Sequence, residues 1–237
     1  MTTYLLVHGA WHTGECWTRV TPLLEAAGHR VLAPTLTGDG DKAHLAGPEV
    51  GLDTHVADVA GLIREEDLAD VVLVGHSYAG LVISSVANER PDRIARLVYL
   101  DAMVPEDGES AADVLSVTQA LIDLALTSES GWGVPPVPEP PPAGLFGVTD
   151  DIAWLRTMLS DQPVRCLQQP VRLDNPATRS IPRTHIHCAV KPEGFSRRAV
   201  PAVQPNGTPA EVWELPTGHD CMITMPAELS ELLLKLA

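Results

Sequence analysis

Residues Asp70 to Gly80 read DVVLVGHSYAG and constrain the fold of this chain more than any other stretch. The apolar run Val71–Val74 stops at Gly75, Ser77 follows two residues later, and LVISSVANER then continues with helical character up to Pro91. A buried strand that turns sharply into a helix with serine at the apex is a nucleophile elbow. Such a turn strains the serine backbone, so the residues two positions to either side must be small for strand and helix to approach. Gly75 meets that need on one side. On the other side Ala79 stands where glycine is usual, with Gly80 next. An ordinary glycine-rich turn carrying an incidental serine is the plainer alternative.

The surrounding pattern alternates strand and helix. Tyr4–Val7 reads as a first strand, Trp17–Ala27 as a helix closed by Gly28, and Arg30–Ala33 as a second strand. A helix over Asp53–Glu66, with Asp53 or Thr54 as its N-cap, precedes the elbow, and Ile94–Leu100 follows as a strand ending at Asp101. Strands are expected again at Thr184–Ala189 and Glu211–Leu215, each followed by a loop and a helix, the last being Ala227–Leu236. This order predicts an α/β fold with a mostly parallel sheet of about six strands and helices on both faces.

Residues 105–180 break the rhythm. They carry no convincing strand, Ala111–Leu126 and Asp151–Leu159 look helical, and VPPVPEPPP at Val134–Pro142 is too proline-rich for a helix or a sheet interior. The expectation is a core of residues 1–104 and 181–237 with a helical cap inserted at 105–180; a plain linker is the alternative.

Charge narrows the partners. Sixteen basic against 31 acidic residues leave a formal charge of −15. Such a field repels nucleic acid and anionic membrane surfaces. MTTYLLVHGAW lacks the basic start and long apolar run of a secretion signal, and no stretch reaches the ~18 apolar residues of a membrane span. Cys16, Cys166, Cys188 and Cys221 are scattered, as reduced thiols of a cytoplasmic protein would be. The sequence specifies no oligomeric state.

Three kinds of group would have to converge on Ser77. A serine hydroxyl needs a base, and His219 lies between the last strand and the last helix, where the base falls in this chain order. Two backbone N–H groups must face the developing oxyanion; Tyr78 follows the serine, and Ala10 lies in the His8-Gly9-Ala10 loop after the first strand. A carboxylate must orient the base. The loop after the next-to-last strand, CAVKPEGF, places Lys191 where aspartate is usual and offers only Glu193. Asp101 ends an otherwise apolar strand, a costly place for an unpartnered carboxylate. Asp101 is the first choice and Glu193 the second; Asp220 is too close to His219 in sequence for a good side-chain contact. His185 and His187 share a strand face without a third ligand at metal spacing, so no metal is expected. No phosphate loop follows any strand, so no nucleotide cofactor is indicated. Trp11, Met103, Trp132 and Trp154 lie in segments able to line an apolar pocket, or to pack the core.

On the segments LLVHGAWHTGECWTRVTPLLEAAGH, VVLVGHSYAGLVI, RLVYLDAMVPEDG, SDQPVRCLQQPVRL, IPRTHIHC and ELPTGHDCM, the chain resembles small α/β-hydrolases related to plant methylesterases and hydroxynitrile lyases, including their bacterial esterase relatives. The resemblance implies the α/β-hydrolase fold, Ser77 as nucleophile, His219 as base, and the Ala10 and Tyr78 amides as oxyanion hole. It also implies an acid after the strand ending at Cys188, where this chain departs. The similar lyases carry threonine in the HGA region and lysine directly after the histidine; here those places hold Gly9 and Asp220. An aspartate would repel departing cyanide, so ester hydrolysis of a small hydrophobic or aromatic substrate leads. A lyase, a carbon–carbon bond hydrolase and a non-catalytic ligand receptor remain as alternatives.

Overall fold

Successive residues of the central strands are buried in two different cores. Leu5, Val7, Val71 and Leu73 pack into one; Tyr4, Leu6, Val72 and Val74 pack into the other. A sheet with both faces covered needs apolar residues at every position, which explains the unbroken runs. The computed structural model describes residues 1–136, 151–191 and 196–237. Its main sheet is formed by β1 (Thr3–Val7), β2 (Arg30–Leu32), β3 (Val71–His76), β4 (Ile94–Leu100), β7 (Arg183–Cys188) and β8 (Glu211–Leu215). All neighbours run parallel in the order β2-β1-β3-β4-β7-β8. The chain leaves β1 toward β2 and then crosses back to β3, so the loops after β1 and β3 flank the point where strand order reverses. That crevice is where open α/β sheets bind ligands.

Helices α2 (Leu52–Glu65) and α3 (Ala79–Glu89) cover one face; α1 (Thr21–Ala26), α8 (Cys221–Thr224) and α9 (Pro226–Leu234) cover the other. The first helix starts later than its apolar spacing suggests. A 3₁₀ turn at Gly14–Trp17 comes first, and Pro22 fixes the beginning of α1. Gly28, with φ +88°, then ends that segment. The N-cap of α2 is Gly51 rather than Asp53 or Thr54; its N–H donates to Thr54 Oγ1 at 3.2 Å.

Residues 105–180 contain α4 (Ala111–Val114), α5 (Thr118–Thr127), α6 (Ile152–Thr157) and α7 (Arg165–Gln168). The expected helix Ala111–Leu126 is therefore broken in two at residues 115–117. The segment also holds a short antiparallel pair, β5 (Gly133–Val134) with β6 (Gln162–Pro163), contrary to the strandless reading. Most of the proline-rich stretch, and Glu193, lie outside the described residues. No helix separates β7 from β8 among the described residues, which corrects the expected strand–loop–helix order there. Among them, too, no helix is long and apolar enough to cross a membrane. All four cysteines are buried and free.

Candidate active site

Ser77 directly follows β3 and has φ +56°, a left-handed conformation that non-glycine residues rarely adopt. Three backbone hydrogen bonds hold it there. Its N–H donates to Leu100 O at 3.2 Å, and its carbonyl accepts from Met103 N (2.9 Å) and Gly80 N (3.1 Å). The small residues around it have separate reasons. A Cβ on Gly75 would lie 2.7 Å from Ala79 O, and one on Gly80 would overlap the Met103 carbonyl oxygen. Ala79 is fully buried with its methyl accommodated, so the closest approach after the serine falls on Gly80.

The loop after β1 crosses this turn. A Cβ on Gly9 would lie 2.9 Å from Ser77 Cβ, so only glycine brings the Gly9–Ala10 backbone this close. His8 secures the loop from inside: its Nε2 accepts from Leu36 N at 3.0 Å, and its Nδ1 faces Gly9 O at 2.8 Å. Burial pushes the His8 imidazole down to about 3, which keeps it neutral. Ala10 and Tyr78 are both buried. The Tyr78 hydroxyl is 3.1 Å from His55 Nδ1, which anchors the residue next to the serine.

His219 comes from the loop between β8 and α8, and its Nδ1 is 2.6 Å from Asp101 Oδ2. A carboxylate accepts, so it is Nδ1 that donates to Asp101. Asp101 also has positive φ (+45°), and its N–H still donates to Ile186 O at 2.7 Å. Its side chain is 5% exposed. Oδ1 accepts from Cys188 N at 2.9 Å and pairs with the Arg197 guanidinium. Burial pushes the Asp101 carboxyl up, but the His219 hydrogen bond, the His219 and Arg197 charges and the Cys188 N–H outweigh it and hold it at about 2. Lys191 is exposed.

Asp220 turns away from Asp101 into the protein. It is fully buried, with Oδ2 3.4 Å from His12 Nε2 and Oδ1 3.9 Å from His76 Nε2. Burial alone would push the His12 imidazole down; the Asp220 carboxylate and the Ala10 carbonyl outweigh it and raise it. Sequence reasoning missed His76, His12 and Arg197, whose contacts span many residues and leave no local pattern.

Trp11, Met103 and Trp132 pack against one core. Trp154 packs against the other, across the sheet, with the Arg19 guanidinium 5.0 Å over its ring. Trp11 fastens segment 105–180 to the β1 loop. Its Nε1 donates to Val134 O (3.0 Å), its N to Gln162 Oε1 (3.0 Å), and its carbonyl accepts from Ser160 N (3.0 Å). His185 stacks on Tyr99, and no three potential ligands gather as a metal site among the described residues.

The chain is similar to several known proteins. A carbendazim hydrolyzing esterase from Nocardioides sp. (strain SG-4G) is 39% identical over the whole of both chains. An extracellular α/β-hydrolase from a Paenibacillus species, described as sharing structural and functional homology with tobacco salicylic acid binding protein 2, superposes with TM-score 0.82 at 25% identity. That match covers 99% of this chain and 98% of the other. A pyrethroid hydrolase from Sphingobium faniae JZ-2 gives TM-score 0.72 at 26% identity, covering 99% and 96%. The family model described as "Alpha/beta hydrolase family" matches residues 4–232. With the elbow at Ser77, the parallel sheet and these relatives in agreement, the chain belongs to the α/β-hydrolase family.

Proposed function

We propose that this protein is a carboxylic ester hydrolase that works through an acyl-enzyme on Ser77. The observation that carries the reading is the 2.6 Å contact between His219 Nδ1 and Asp101 Oδ2, together with a serine held at φ +56° after β3. His219, oriented by Asp101, takes the Ser77 proton as the hydroxyl attacks the ester carbonyl. The amides of Ala10 and Tyr78 receive the oxyanion. His219 then protonates the leaving alcohol, and in the second half-reaction it activates the water that releases the acid.

The described residues between 105 and 180 act as a cap over the strand ends, tied down through Trp11. Trp11, Met103 and Trp132, partly buried against the same core, would offer an apolar wall to a small hydrophobic or aromatic ester; Trp154 packs against the other core, on the opposite face of the sheet. The carbendazim hydrolyzing esterase and the pyrethroid hydrolase support hydrolysis over a lyase reaction. So does Asp220: the residue after His219 brings no positive charge, and its side chain is spent on His12. Four unpaired cysteines support a cytoplasmic location.

Wild-type protein should hydrolyse p-nitrophenyl acetate with an acyl burst, and Ser77→Ala should abolish both burst and turnover. Equal rates in the two proteins would refute the reading. A panel of methyl, aryl and lactone esters then defines the substrate.

A further inference from the structure

We propose that His76, the residue before the nucleophile, is a positioning residue that fixes the ring and backbone of His219. The inference rests on the esterase reading for its catalytic meaning and on geometry for its substance. His76 is fully buried, and its Nε2 is 3.0 Å from His219 O. A carbonyl only accepts, so Nε2 carries the proton. Nδ1, the unprotonated nitrogen, has no hydrogen-bond partner and points toward Gly9, where a Cβ would come within 3.0 Å of it. The two imidazole rings lie 4.5 Å apart at 42°. One side chain thus touches the oxyanion loop, adjoins the serine, and supports the base at both its ring and its main chain.

Neutrality is part of the role. The groups facing His76 are His219 and Asp220 from the β8–α8 loop, His12 from the β1 loop, and Asp101 from the end of β4. Burial, with the neighbouring His219 and His12, pushes the His76 imidazole down to about 3 against the opposing pull of Asp220 and Asp101. A neutral ring beside His219 does not repel the imidazolium that forms during turnover. Asp220 and His12 brace the assembly from behind: the His12 ring stands edge-on to His76 at 5.9 Å.

His76→Phe keeps a ring of similar volume but removes the donor, whereas His76→Gln restores a donor without the ring. For His76→Phe, kcat on p-nitrophenyl acetate should fall about ten- to a hundredfold with KM nearly unchanged, as for a base displaced by a fraction of an ångström. The pH profile of kcat/KM should shift, and the low-field NMR resonance of the His219 Nδ1 proton should broaden or move. His76→Gln should recover part of kcat. A folded His76→Phe protein with wild-type kcat, pH profile and Nδ1 resonance would overturn the proposal, as would equal losses in Phe and Gln with an unaltered resonance. If His76→Phe does not fold, His76→Asn, whose donor is too short to reach His219 O, should show the same losses; full activity in it overturns the proposal. Ser77→Ala run in parallel separates the two readings. Should it hydrolyse ester as fast as wild type, the esterase reading fails, and the Nδ1 resonance alone decides the role of His76.

Discussion

Asp101 reaches His219 from the end of β4, the strand beside that of the nucleophile, and closes to 2.6 Å. The neighbouring strand end, after β7, supplies no carboxylate among its described residues; it supplies the Cys188 N–H and, farther along, Arg197, both bound to the other Asp101 oxygen. The two strand ends have divided the work: one brings the carboxylate, the other saturates it. An acid whose second oxygen is already occupied has one direction left for its lone pairs, toward His219 Nδ1.

Replacing Asp101 by Asn should therefore cost far more than its small change in shape. The amide presents a donor or a neutral acceptor to Nδ1, removes the Asp101 charge that pairs with Arg197, and favours the wrong tautomer of His219. We expect kcat to fall about 10³–10⁴-fold. Glu193→Gln should leave kcat close to wild type, and Arg197→Met should fall between. Steady-state kinetics on the three proteins check this; a larger loss for Glu193→Gln than for Asp101→Asn would refute the assignment.

The elbow makes a second, steric prediction. A methyl on residue 80 would overlap the Met103 carbonyl, whose own N–H is bonded to Ser77 O, so the clash bears on the serine backbone. Gly80→Ala should destabilise the protein by about 3 kcal/mol or more and remove most activity, as for an overpacked core site. Ala79→Gly, which opens space, should keep activity and lose at most ~1 kcal/mol through weaker helix propensity. Urea unfolding and burst kinetics distinguish the two; a benign Gly80→Ala would contradict the packing.

What the sequence made legible follows from physics that acts locally. β4 and β8 coincide with the spans Ile94–Leu100 and Glu211–Leu215 expected from sequence, because proline and aspartate flank the first and prolines flank the second. Ser77 was legible because strand, small residues and helix are contiguous. Asp101 could be singled out because a carboxylate ending an apolar strand is costly without a partner. The partners themselves were not legible: Arg197 meets Asp101 across 96 residues, and His12 meets Asp220 across 208. Asp220, set aside as a partner of His219, acquired a buried role only once the β1 loop was folded beneath it. Trp154 looked like Trp11 and Trp132 in sequence, but its helix packs on the other face of the sheet.

Acid stability should report the buried histidines directly. His8 and His76 are both held at about 3, well below the ordinary 6.5, chiefly by burial. Between those values the unfolded chain binds protons that the native protein refuses, so stability rises with pH across this window. The stabilisation is complete above about 6.5 and is lost as pH falls toward 3. Asp101, held at about 2 against an ordinary 3.8, extends the loss to lower pH with the same sign. His12, raised above 6.5, acts oppositely: its contribution is present below 6.5 and disappears as pH rises through its native value. Each depressed histidine contributes a slope of at most about 1.4 kcal/mol per pH unit between 6.5 and 3. Urea unfolding of the wild type from pH 7 to pH 4 should show the combined slope, and His76→Phe should flatten it by about one proton's worth. An unchanged slope in that variant would mean that His76 takes up its proton in the native state as readily as in the unfolded chain.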